Sequence, residues 1–311
     1  MNIITKILLI ATVLTQLLIV NSWAGPSVSV GDQNKIETRA QIERKYTAFG
    51  PDQVRFSYYP VNKAKYTNIK VWYPQDLQDG NKSYPVVIFA NGTDVINSSY
   101  EEVFKHLASW GFIVIGNDDK SSWSGESSAE SLDLILSENS NKNSIFYQKV
   151  NAKQIGISGH SQGGVAAINA VTNQKNGQYY SSIFAASTPK HALAVGLKWS
   201  YDIDKINIPY FAVAGTGGFD AGKEKDANSG IAPLWSMREN FYHLRSSAVA
   251  VIARRKDVDH GDMLFKADGY MTAWFLYTLL GDQTAAKVFT GINPEITNND
   301  LWQDVNIKNL R

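Results

Sequence analysis

The chain has no cysteine among its 311 residues. No disulfide can hold the fold, no thiolate can act as nucleophile or metal ligand, and no cysteine near the N-terminus can carry a lipid. Charge of one sign is also missing. Lys and Arg together number 30 against 29 Asp and Glu, and the densest basic stretch is only "ARRK" at 253–256. A nucleic-acid-binding surface needs a basic patch or stripe, and none is present. Long apolar runs are scarce: one, Ile7 to Val20, follows Lys6 and precedes Ser22-Trp23-Ala24. It is shorter than the ~20 residues of a membrane-spanning helix. Small residues at −3 and −1 predict a secretory signal peptide, residues 1–24, cleaved after Ala24. The remaining residues 25–311 are expected to be exported, to the periplasm or the medium, with net charge 0 and no stable membrane anchor.

What remains is globular in composition, 44% hydrophobic and 12% aromatic, and long enough to bury a core unaided. Residues 25–50 are polar, with a weakly helical "KIETRAQIERKY" that stops at Gly50-Pro51; they read as a surface arm before a single domain, 51–311. "QVRFSYY" and "YTNIKVWYP" are rich in aromatic and β-branched residues and predict antiparallel strands at one sheet edge. From residue 85 the pattern changes. "PVVIFAN", "GFIVIGN", "KQIGIS", "SSIFAAS", "PYFAVAG" and "AVAVIA" are apolar without alternation, as in parallel strands covered on both faces. Helical segments separate them. "YEEVFKHLASWG" carries a stripe of Val103, Phe104, Leu107 and Ala108, with Ser98 and Glu101 as a capping box. "ESSAESLDLILSE", "QGGVAAINAVT", "LWSMRENFYHL" and "GYMTAWFLYTLLG" follow. Strand–helix alternation of this kind predicts an α/β fold, a doubly wound, mostly parallel sheet with right-handed crossovers. The connection between "IFAAS" and "PYFAVAG" is too short for a large lid.

Within this pattern, Gly159-His160-Ser161-Gln162-Gly163 fits G-x-S-x-G. The pentapeptide alone carries little weight, but here it lies between a buried strand and a helix. That context predicts a nucleophile elbow, with Ser161 lifted above the sheet's carboxyl edge at a helix N-terminus. Gly159, Gly163 and Gly164 supply the space such a turn needs. A serine hydroxyl needs a base to take its proton. Of five histidines, His106 and His243 fall in predicted helices, His160 inside the elbow and His191 on the short connection. Only His260, in "RRKDVDHGDM", follows the last parallel strand in a loop, which makes it the expected base. The acid should follow "PYFAVAG", in "TGGFDAGKEKDANSG". Asp220 comes first and is preferred; Asp226 is the alternative, with Asp202 or Asp204 further behind. Asp257, Asp259 and Asp262 beside the histidine read as surface or supporting groups. No ligand spacing in this loop argues for calcium. The backbone N–H groups of Gln162 and of Thr93, after Asn91-Gly92, are the candidates for stabilising an oxyanion.

The segments "VVIFANGTD", "LASWGFIVIGND", "IGISGHSQGG", the loop after "YFAVAG" and "DHGDM" together resemble the α/β-hydrolase superfamily over roughly residues 55–280. They are similar in particular to secreted bacterial cutinase-like and polyester hydrolases, with dienelactone-hydrolase-like and chlorophyllase-like enzymes as relatives. The resemblance implies the α/β-hydrolase fold and a serine esterase that uses no metal or organic cofactor. It also implies an acyl-enzyme on Ser161, released by water that His260 activates. The chain departs from polyester hydrolases at Ser187-Thr188-Pro189, where they carry a tryptophan, and at Gln162, where they often carry methionine. The expected substrate is a small or polymeric carboxylic ester. A peptidase or amidase with the same triad is the alternative among enzymes, and a non-catalytic binding module on this fold is the alternative outside them.

Overall fold

The computed structural model describes residues 37–310 apart from 79–81, 224–225 and 227. The signal peptide that the sequence predicts and the first part of the arm lie outside these residues. In chain order the elements are α1 (Gln41–Thr47), β1 (Val54–Pro60), β2 (Asn68–Pro74), β3 (Tyr84–Ala90), α2 (Glu101–Ser109), β4 (Ile113–Asn117) and α3 (Glu126–Ser140). Next come β5 (Val150–His160), α4 (Gln162–Thr172), β6 (Tyr180–Ala186), α5 (His191–Gly196), β7 (Tyr210–Gly215), α6 (Gly218–Ala221), α7 (Leu234–His243) and β8 (Ala250–Arg255). The chain ends with α8 (Met263–Lys266), α9 (Asp268–Leu280), α10 (Gln283–Ala286), α11 (Glu295–Asn298) and β9 (Trp302–Lys308).

One nine-stranded sheet runs in the order β1-β2-β4-β3-β5-β6-β7-β8-β9. The strands from β4 to β8 are parallel; β1 and β2 at one edge and β9 at the other are antiparallel. This is the α/β-hydrolase fold, with the antiparallel edge that the first two aromatic-rich segments predict. β9, with its weak alternation "WQDVNIK", is an addition that the sequence reading does not include. Successive side chains of a strand point to opposite faces, so an unbroken apolar run feeds two cores at once. In β3, Val86 and Ile88 join the layer under α3, α4 and α7, while Val87 and Phe89 join the layer under α2 and α9. Trp274 of α9 lies wholly within that second layer, and its indole N–H donates to the Ile183 carbonyl at 2.9 Å.

Two local expectations differ. The Ser98–Glu101 capping box does not form: a 3-10 turn, Asn97–Tyr100, precedes α2, and no side chain caps the helix. Glu101 turns instead to Lys70 of β2, at 2.8 Å. Its helix stripe is as expected, with Val103, Phe104, Leu107 and Ala108 all fully buried. The described end of the arm is docked rather than superficial. Glu43 of α1 is buried and accepts from Arg255 (3.1 Å), Trp302 (2.8 Å) and Asn299 (2.7 Å). Taking a carboxylate out of water needs such partners; the polar sequence conceals them because they come from the far end of the chain.

The arm is tied down a second time, to the layer that carries α2. His106 Nδ1 lies 2.7 Å from Asp268 Oδ2 and Nε2 lies 2.9 Å from the Ala48 carbonyl, with both side chains fully buried. Both ring nitrogens face acceptors, which favours the doubly protonated imidazolium. Burial opposes that charge, but the Asp268 carboxylate outweighs it and raises the pKa above its ordinary value. The pair's stabilisation is therefore complete below the ordinary histidine value of about 6.5. It is lost as pH rises through the elevated value of the folded state. Thermal midpoints of the parent and His106→Gln are expected to differ most in mildly acidic buffer, near or below pH ~6.5, and to converge in alkaline buffer. A constant difference across that range would contradict the charged pair.

Candidate active site

The sheet delivers three loops to one place, the carboxyl ends of β5, β7 and β8. Ser161 sits between β5 and α4 with φ 58° and ψ −122°. A non-glycine residue there costs about 1–3 kcal/mol and persists only where its surroundings fix it. They do so here. The Ser161 N–H donates to the Ala186 carbonyl of β6 at 2.9 Å, and its own carbonyl accepts from Gly164 N–H at 2.8 Å. A Cβ at Gly159 would stand 2.0 Å from the Gly163 carbonyl oxygen, and one at Gly163 only 2.1 Å from that of Ala90. Any side chain at either position would push α4 off the strand ends and relax the turn that holds the serine out.

His260 opens a 3-10 turn after β8. Its Nε2 is 2.9 Å from Ser161 Oγ and its Nδ1 is 2.7 Å from Asp220 Oδ1. Asp220, on the short α6 directly after β7, is fully buried. Its carboxylate only accepts, so Nδ1 carries the proton and Nε2 presents a lone pair to the serine hydroxyl. The structure thus brings Ser161, His260 and Asp220 together. It does not bring Asp226, the alternative acid, to this place. Asp226 is exposed further along the loop, where its carboxylate accepts from Asn228 N–H at 3.0 Å. The other histidines are occupied elsewhere or exposed: His243 lies 3.4 Å from Asp204 on the surface, and His191 meets the Tyr201 ring edge-on at 5.4 Å.

Gln162 is the first residue of α4, so its N–H is one of the helix's unpaired donors. Thr93 follows Gly92, and a Cβ at Gly92 would stand 3.4 Å from the His160 carbonyl, which places this loop against the elbow. Neither amide donates to a protein acceptor among the described residues. Amides at a helix N-terminus and on a facing loop offer a seat for developing negative charge. The Phe219 ring stands edge-on to His260 at 5.2 Å between centroids.

Several residues support the triad; Ser187 and Lys190 have no such role in the sequence reading, and Asp259 takes the supporting one of its two expected places. The Ser187 hydroxyl donates to Asp220 Oδ2 at 2.6 Å, alongside Gly215 N–H at 2.7 Å. Ser187 is fully buried at φ 49°, immediately after β6. Its position where polyester hydrolases carry a tryptophan is the one signal the sequence offers. Asp259 does more than a flanking surface acid. Its Oδ1 accepts from Phe219 N–H (3.0 Å), Asp220 N–H (2.9 Å) and His260 N–H (2.8 Å). One carboxylate therefore caps both the acid's turn and the base's turn, as Asp does at helix starts. An Asp directly before a candidate histidine was the available hint. Lys190 is buried and donates to the carbonyls of Asn228 and Ser229 at 2.6 and 2.7 Å, which holds down the far side of the acid loop. Burial pulls its pKa below the ordinary lysine value.

The sheet order and the elbow define an α/β-hydrolase. Within that class the chain belongs to the chlorophyllase family, which matches residues 67–288 and so includes Ser161, Asp220 and His260. Similar proteins include "Chlorophyllase-1, chloroplastic" of Citrus sinensis, 25% identical over 203 residues, which are 63% of this chain and 60% of that protein. The protein of the same name from Citrus unshiu is 25% identical over 200 residues, 62% of this chain and 60% of its own length. The matched region thus spans under two thirds of these relatives. Of the branches that the sequence resembles, the match falls on the chlorophyllase-like one.

Shared capping by Asp259 has a direct readout. In Asp259→Ala, amide hydrogen exchange at Phe219, Asp220 and His260 is expected to accelerate together, while Asp262→Ala leaves all three protected. Unchanged exchange in Asp259→Ala would show that the turns hold without it.

Proposed function

We propose that this protein hydrolyses carboxylic esters through an acyl-enzyme on Ser161. The observation that carries the proposal is the continuous line from Ser161 Oγ to His260 Nε2 (2.9 Å) and from His260 Nδ1 to Asp220 Oδ1 (2.7 Å), at a serine held in a strained elbow. Ser161 Oγ attacks the ester carbonyl carbon while its proton passes to His260 Nε2. The carbonyl oxygen takes the negative charge and rests on the N–H groups of Thr93 and Gln162. When the tetrahedral intermediate collapses, the bond to the alcohol oxygen breaks and His260 returns the proton to that oxygen. Water then repeats the sequence on the acyl-serine, with His260 as base, and frees the acid. Asp220 stays a carboxylate throughout and stabilises the imidazolium.

Ester rather than amide chemistry is supported by the chlorophyllase family and by the two relatives that carry that name. The connection between β6 and β7 holds the six-residue α5 and a three-residue 3-10 turn, Ile203–Lys205, which favours an open approach and bulky or polymeric esters. On a series of p-nitrophenyl esters, Ser161→Ala and His260→Ala are expected to lower kcat roughly a million-fold, and Asp220→Asn about ten-thousand-fold. Asp226→Asn should match the parent. Turnover that survives in Ser161→Ala would sink the proposal.

A further inference from the structure

The mechanism leaves one buried histidine unused. His160 ends β5, directly before the serine, and its ring lies 4.8 Å from that of His260. Its Nε2 is 2.7 Å from the His260 carbonyl oxygen. Its Nδ1 is 3.4 Å from the Tyr100 hydroxyl, which in turn accepts from Gly92 N–H at 3.2 Å. All four residues are buried. We propose that Tyr100 and His160 are positioning residues of the hydrolytic site: a three-bond relay that fixes the oxyanion loop of β3 to the loop that carries His260. The proposal rests on the ester-hydrolase reading and adds to it a coupling between the loop after β3 and the loop after β8.

The direction of each bond follows from the chemistry of its ends. A backbone carbonyl only accepts, so His160 Nε2 must carry the hydrogen. Burial, with the His260 ring beside it, pulls the His160 pKa down to about 3, against smaller upward pulls from its bond to the His260 carbonyl and from Asp220. The ring is therefore neutral and its Nδ1 is an acceptor. Tyr100, buried and with its pKa pushed up by that burial, keeps its proton and donates it to Nδ1. Its oxygen lone pair then receives Gly92 N–H. Every hydrogen in the relay has one place to go, and reversing any bond would leave a buried polar group without a partner.

Two consequences bear on the reaction. First, the relay takes up the Gly92 amide, so the next amide in the loop, that of Thr93, remains for the substrate oxygen. Second, a neutral His160 beside His260 adds no positive charge against the imidazolium that forms when Ser161 gives up its proton. The fit is close on the loop side as well: a Cβ at Gly92 would stand 3.0 Å from the Tyr100 hydroxyl and 3.6 Å from His160 Nδ1.

The test uses the parent chain, Tyr100→Phe, His160→Leu, His160→Gln and the Tyr100→Phe/His160→Leu double variant. Each is assayed on a p-nitrophenyl ester, with kcat expressed per active site titrated by a fluorophosphonate. Misaligned loops are expected to lower kcat by roughly 10-fold or more, with KM nearly unchanged, in Tyr100→Phe and in His160→Leu. The double variant should be no worse than the poorer single variant, because either change breaks the same relay. His160→Gln, which keeps a donor and an acceptor, should recover part of the loss. Should His160→Leu fail to fold, Tyr100→Phe, which removes a single oxygen, decides alone. A parent that is labelled and turns over while Tyr100→Phe keeps its kcat, or losses that simply add, would overturn the relay and spare the hydrolase reading. A folded parent that neither labels nor turns over would overturn both.

Discussion

The bare backbone contact between the first turn of α4 and the end of β3 is the constraint on which the site depends. Gly163 lies so near the Ala90 carbonyl that even a methyl group would have to occupy its space. That proximity forces the chain to reverse within one residue, and Ser161 absorbs the reversal at positive φ. The strain is local and its supports are not: β3, β6 and α4 all contribute a backbone group to the turn. Packed parallel strands are stiff enough to supply such supports, which is why a serine held in this strained turn sits at their ends and not on a free loop.

Around that turn the acid and base loops are assembled by buried polar groups, each of which serves two elements. Asp220 receives hydrogens from β7, from Ser187 after β6 and from His260 after β8. Asp259 accepts from both turns that flank it. Buried carboxylates are costly without donors, and these are supplied with several. The outcome is a site whose three side chains come from distant stretches of sequence yet have few alternative positions.

Much of this was legible before the structure. The apolar runs identify β3 to β8, because a strand covered on both faces cannot alternate. The elbow is readable because glycine spacing, strand and helix coincide around Ser161. His260 stands out as the one histidine after the last parallel strand, and Asp220 as the first acid after β7. What was not legible depends on partners far away in the chain. Glu43 looks like one acid in a polar arm until Arg255, Asn299 and Trp302 surround it. Asp259 reads as either a surface or a supporting acid, and only the fold of α6, which places two amides on it, decides between them. β9 carries too little apolar alternation to announce itself, since as an edge strand it is only partly covered. Ser98 and Glu101 have the spacing of a capping box, but the pull of Lys70 on Glu101 is a tertiary effect that no local pattern contains.

The most direct measurement is intact mass followed by peptide mapping of the protein after a fluorophosphonate, at neutral pH, with Ser161→Ala alongside. A serine activated by His260 should give one adduct, located on the peptide that contains Ser161, with none on the variant. A folded parent that stays unmodified, or an adduct located on another residue, would contradict the account at its centre.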